Sequence, residues 1–196
     1  MNGTRDAEEL VGARLVPRQL VLGLLFLCLA AGLGGCAAVL AEKPIGATPV
    51  ALAPEQWNGS WFNGEDALVV EVTEPDAGVM QVALVEYKEG GFALQQMTAV
   101  VRQGDQWQFI NVKAEDSGGR YQWARMSREG ELLLIWPPEP APLRELVENG
   151  SLAGKVEDDD VILPGSSPEL IQLLEGDGGG RFFKWDGPLV LYRLGH

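Results

Sequence analysis

Side-chain catalysis draws mostly on histidine, cysteine and paired carboxylates, and this chain is poor in the first two. Its one histidine, His196, is the last residue, and both cysteines, Cys28 and Cys36, lie in an apolar N-terminal stretch. A Ser-His-Asp relay, a Cys-His pair or a His-ligated metal needs an interior imidazole or thiolate, so none of these is expected. Carboxylates are plentiful, and two flanking a cleft would suit glycoside hydrolysis. Here they are scattered over turns and strand faces, and no pair stands out. The run Glu157-Asp158-Asp159-Asp160 offers the oxygen ligands that calcium favours. Consecutive turn residues point in different directions, however, and the spacing is not that of an EF-hand, so an acidic turn is the plainer reading. Gly178-Gly179-Gly180 lacks the lysine and helix of a phosphate-binding loop. We therefore expect no catalytic group, no metal and no cofactor.

Aromatic residues carry more information. Trp107 and Phe109 fall on one face of a strand, and Tyr121, Trp123 and Arg125 on one face of the next. If those faces point into a barrel, Trp107, Tyr121, Trp123 and Arg125 line a cavity for an apolar ligand with one polar anchor. The alternative is an aromatic core that fills a small barrel unaided.

The elements that must position these residues read as strands broken by glycine turns. WNGSWF, ALVVEVTE, VMQVALVEY, FALQQMTAVVRQ, QWQFINVKA, RYQWARMS and ELLLIW follow one another from Trp57, with period-two alternation and no intervening helix. This predicts a mainly β domain, an antiparallel meander forming a barrel or strongly curved sheet. Two short helices are expected near the C-terminus. One opens at Pro142 with Leu143, Leu146 and Val147 on one face; the other is capped by Ser167, with Pro168 first and Leu170, Ile171, Leu173 and Leu174 following. Between them LAGKV and VILP read as a short strand pair. FFKWDGPLVLYRL reads as a last strand that closes the sheet, and Gly178-Gly179-Gly180 as a mobile loop.

The N-terminus reads as a targeting signal. Arg14 and Arg18 precede the uncharged run LVLGLLFLCLAAGL, which ends in Leu33-Gly34-Gly35-Cys36. These four residues resemble the lipobox of bacterial lipoproteins, in which an apolar residue and two small ones precede a lipidated cysteine. The resemblance implies a signal peptide over 1–35, cleavage before Cys36, and membrane attachment through lipid on that thiol and an acylated amine. Ala37 stands where aspartate would retain a Gram-negative lipoprotein at the inner membrane, which implies outer-membrane delivery and a domain facing the periplasm. Two alternatives stay open. The uncharged stretch to Ala41 is long enough for an uncleaved span, and Val39-Leu40-Ala41 would serve an ordinary signal peptidase. Asp6, Glu8 and Glu9 are unusual in a signal, so translation is expected to start later, at Val11. The Ala- and Pro-rich segment over 36–54 reads as an extended tether, followed by a single domain over 55–196.

Net charge is −13, and before Cys36 three arginines balance three acids, so the excess sits on the mature part. That argues against nucleic acid, whose phosphates are met by Lys and Arg, and against adhesion to anionic headgroups. A second resemblance concerns the domain. Gly59-Ser60-Trp61 is similar to the Gly-x-Trp of lipocalins, and Arg193 lies on the last strand. In that family an arginine near the final strand packs over the tryptophan and closes the barrel base, which implies a Trp61–Arg193 cation–π pair here. The helices and strands inserted before the last strand depart from the family. The expected function is non-enzymatic: binding a small apolar ligand or a protein partner, the latter as a structural accessory of an envelope assembly, with a carboxylate-based hydrolase as the alternative.

Overall fold

The computed structural model describes residues 37–88, 91–113 and 118–195. Cys28, Cys36, His196 and the apolar N-terminal run lie outside the described residues. The described strands are β1 (Val39–Ala41), β2 (Thr48–Pro49), β3 (Gly59–Phe62), β4 (Ala67–Glu74), β5 (Val79–Lys88), β6 (Gly91–Gln103), β7 (Gln108–Lys113), β8 (Tyr121–Glu129), β9 (Leu132–Trp136), β10 (Lys155–Glu157), β11 (Asp160–Leu163) and β12 (Leu189–Arg193). The α-helices are α1 (Pro54–Trp57), α2 (Pro140–Glu148) and α3 (Pro168–Glu175).

Eight antiparallel strands, β3 to β9 and β12, close on themselves: the order β8-β7-β6-β5-β4-β3-β12-β9 returns to β8. Closure leaves the barrel without a free edge. Alternation decides which side chains enter it. Leu68 and Val70 of β4 point inward with Met80 and Leu84 of β5, Met97, Ala99 and Val101 of β6, and Leu133 and Ile135 of β9.

Residues 137–188 leave the barrel between β9 and β12 and build a second layer on its outer wall. The N-terminal half of β8, beyond the reach of β9, pairs instead with β1; β1 pairs in parallel with β11, and β11 with β10. On this side-sheet and the outer face of β7 and β8 lie α2, α3 and a 3-10 turn at Gly179–Phe182. Together they bury Val39, Phe109, Trp123, Leu143, Val161, Leu170, Ile171, Leu174 and Phe182 in a second core.

Three expectations are corrected. Residues 37–54 are not a tether. Val39, Ala41, Ile45 and Leu52 are buried, β1 is an internal strand, and β2 pairs with the end of β6, which β5 no longer reaches. The prolines sit where no ladder bond is lost: Pro49 on the short strand β2 and Pro54 at the first turn of α1. Gly46 is held at φ 110, with its backbone passing directly over Arg102. The long last strand is also broken. Phe182 and Phe183 turn into the second core, and regular pairing begins only at Leu189, after Asp186-Gly187. Nor is the triple glycine a loose loop, since Gly179 is buried and a Cβ there would overlap the Leu174 carbonyl. The Ser167 cap is as expected, its Oγ accepting the Leu170 N–H at 3.2 Å, whereas α2 opens at Pro140, before Pro142.

Candidate functional site

An apolar cavity of about 80 Å³ lies inside the barrel. Its walls include Met80, Met97, Ile110, Ala124, Leu133 and Leu191, with Trp57 and Trp61 at one end and Pro137 and Leu189 toward the other. Gln122 is the polar residue of the lining, and its Oε1 is buried without a hydrogen-bond partner.

The end near Trp57 is closed by α1, which three inward residues staple in place. Arg193 donates from Nη2 to the carbonyls of Glu55 (3.0 Å) and Asn58 (2.7 Å). Trp61 donates from Nε1 to the Trp57 carbonyl at 3.0 Å. Arg128 bonds the Gln56 side-chain oxygen at 2.8 Å and lies 5.3 Å from the Trp57 ring. A four-residue helix this short cannot satisfy its own ends, so side chains from the barrel do it. Trp61 and Arg193 are direct cross-strand partners on β3 and β12. The Trp61 ring tilts against Trp57, with centroids 6.3 Å apart, while the Arg193 guanidinium holds backbone carbonyls.

The aromatic face of β7 and β8 points outward, not into the barrel, which corrects its expected role. The inward residues there are Ile110, Ala124 and Met126. Of the four expected lining residues only Trp123 also borders the cavity, where β8 parts from β9; its ring packs on Phe109 (6.2 Å) and Phe183 (6.1 Å) in the second core. Tyr121 sits opposite Lys113, whose ammonium lies 5.7 Å from its ring. Trp107 belongs to an outer cluster with Trp136, Trp185 and Arg125. The Arg125 guanidinium carbon stands 4.3, 4.6 and 4.4 Å from the rings of Trp107, Trp136 and Trp185. Burial pushes the Arg125 pKa down, opposed by the charge of Glu175.

A signal for the true interior was present. In the middle of β7 and β8, positions 110, 112, 124 and 126 are apolar while the other parity carries Asn111, Lys113 and Arg125, although Gln108, Gln122 and Arg128 at the strand ends blur the contrast. A buried outer layer looks, in sequence, like an interior, and aromatic rings on the outer face of β7 and β8 are as apolar as a lining.

The acidic run is a hairpin turn in which three of the four carboxylates are engaged. Asp158 takes the left-handed conformation (φ 51) that aspartate tolerates. Glu157 meets Arg120 and Lys155, each at 2.7 Å, and Asp160 accepts the Ala38 N–H at 2.8 Å. Asp159 lies by Arg144. Lys155 and Arg120 hold the Glu157 pKa below the usual carboxylate range. The Glu169 pKa is pushed down as well, by its own N–H and the Ser167 hydroxyl. A general acid needs the opposite shift. Among the described residues no group of three or more His, Cys, Asp or Glu converges as a metal site.

On the opposite wall, Tyr192, Phe62, Ala67, Val85 and Leu94 are successive cross-strand partners. They form an uncharged row on the outer face from β12 to β6, with Tyr192 and Leu94 exposed by 57% and 63%. No described helix is long and apolar enough to cross a membrane. Set against known protein families, curated proteins and solved structures, the chain finds no match.

Proposed function

We propose that this protein is a lipid-anchored envelope lipoprotein, attached through Cys36 to the outer membrane and facing the periplasm, whose barrel binds a narrow apolar ligand. The anchor rests on Leu33-Gly34-Gly35-Cys36 behind an apolar run. The binding reading rests on the cavity: a closed barrel, an almost wholly apolar interior, and one amide oxygen without a partner. A volume of about 80 Å³ is below the range of drug-sized pockets, roughly 300–1,000 Å³. The occupant is therefore slender, such as the end of an alkyl chain. Met80 and Met97, unbranched and adaptable, are the lining residues best able to move aside for it. Gln122 meets its polar end. The activity is binding, not chemistry.

Titration with a homologous series of n-alkyl alcohols, followed by the fluorescence of Trp57, Trp61 and Trp123, tests this. Affinity should rise about fourfold per methylene (~0.8 kcal/mol) until the cavity is full. Ala124→Leu should weaken binding of the best alcohol about tenfold (~1.4 kcal/mol). Equal, unsaturable responses along the series, unchanged by Ala124→Leu, would dismiss the ligand reading.

The exposed row from Tyr192 to Leu94 favours a second reading, an accessory that docks on another protein of an envelope assembly. Photo-crosslinking from position 94 in intact cells should then capture one discrete partner, and a variant with Leu94→Lys should release it.

A further inference from the structure

The Arg125 guanidinium is enclosed by three indoles, yet it makes no hydrogen bond or ion pair among the described residues. Its Nε is buried and unpartnered. The terminal nitrogens are not among the buried unpaired atoms, so they keep contact with solvent, and Arg125 as a whole is half-buried. A planar guanidinium of this kind suits a phosphate oxygen pair. Beside it Trp185 is 40% exposed, 5.3 Å from Trp136 and 6.0 Å from Trp107 between ring centroids. Tryptophan, apolar in body and polar at one edge, favours the headgroup level of a bilayer.

The start of the described chain lies close to this cluster. Leu40 pairs with Gln122, which sets Val39 alongside Trp123, two residues from Arg125 on β8. Two residues of strand are about 7 Å. With residues 37–54 folded into the domain, only Ala37 and Ala38 separate Cys36 from Val39, three chain steps with a reach of roughly 10 Å. A domain anchored at Cys36 has no slack to stand off the lipid, and the wall beside β1 must face it. The apolar row opposite is centred on β4, four strands from β8 in either direction round the barrel, and so points away.

We propose that the patch of Arg125, Trp107, Trp136 and Trp185 is the face that rests on the bilayer, its guanidinium on a phospholipid phosphate and its indoles among the headgroups. This rests on the reading of Cys36 as lipidated. Glu175, Asp160 and Asp186 are close in the fold or the chain, and the protein carries a charge of −13. The lipid it suits is thus zwitterionic, since an anionic surface would repel its surroundings.

The full lipoprotein, purified from membranes and reconstituted in phosphatidylcholine vesicles with or without brominated acyl chains, provides the test. Bromine should quench the wild-type fluorescence. Trp185→Phe should lose most of that quenching, and Arg125→Met, which keeps the packing on the indoles, should lose part of it. A tryptophan added on the far wall by Leu94→Trp should add none. Quenching unchanged in Trp185→Phe, or strong at position 94, overturns the orientation. The mass of the N-terminal peptide from the same sample reports the anchor separately. A lipidated Cys36 with unquenched Trp185 refutes this face alone, and an unmodified Cys36 refutes anchor and face together.

Discussion

Asn111 is fully buried and uses its amide to hold a segment far away in the chain. Its Oδ1 accepts the Ile45 N–H at 2.6 Å, and its Nδ2 donates to the Ile45 carbonyl at 2.9 Å. Replacing it by leucine strands both backbone groups, each at roughly 1–3 kcal/mol. Asn111→Leu should therefore lower the urea midpoint by several tenths of molar or more, and Asn111→Asp, which cannot donate, should do no better. Arg193 plays the matching role at the closed end, with its side chain 12% exposed. Arg193→Ala leaves the Glu55 and Asn58 carbonyls without their donor and should cost about 2–3 kcal/mol in equilibrium unfolding. Arg193→Lys should recover little, because an ammonium cannot present the same fork to two carbonyls. The nearness of Trp61 and Arg193 was implied only by the resemblance of Gly59-Ser60-Trp61 to the lipocalin Gly-x-Trp, and the two are cross-strand partners. That the cation would hold α1 was not legible, since four residues around Glu55 show no helical periodicity.

At the scale of elements, β10 and β11 form a hairpin that exists to receive β1 and the second core. Its outer end is tied by Glu157 to Arg120 and Lys155. The folded-state pKa of Glu157 is depressed, so the stabilisation is present above the unfolded carboxylate pKa, about 4.3, and is lost as pH falls through the folded value. Thermal midpoints recorded downward from pH 6 should fall more steeply in the wild type than in Glu157→Gln, and the two should converge at the acid end. A parallel course for both proteins would mean that the tie contributes nothing. The hairpin was legible from LAGKV, VILP and the acidic turn between them. Its partner was hidden, because Val39-Leu40-Ala41 carries no strand pattern of its own and pairs only because β9 stops short of the start of β8.

For the molecule as a whole, two cores share one wall. The inward side chains of β7 and β8 line the barrel, and the outward ones, Phe109 and Trp123, are the floor of the second core. Glu175 at the end of α3 reinforces the junction by accepting backbone N–H groups of Asp105 (3.2 Å) and Trp107 (3.3 Å) in the β6–β7 turn. Neither layer can lose the other without exposing large aromatic surface. Urea unfolding should thus be a single transition, with far-UV circular dichroism and tryptophan fluorescence coincident. A separate early loss of the helices would show that the outer layer folds on its own terms.

Composition and pattern alone determined the class of fold, the count of successive strands, the helix cap at Ser167 and the lack of interior histidine and cysteine. These are local or additive properties, and period-two alternation or a missing residue type needs no partner to be read. Tertiary structure decided which face of β7 and β8 is the interior, that residues 37–54 belong to the fold, and where Arg125 points. Each depends on what lies across the strand from it. A strand buried on both faces carries apolar side chains on both, so its own sequence does not say which side a barrel encloses and which a second layer covers.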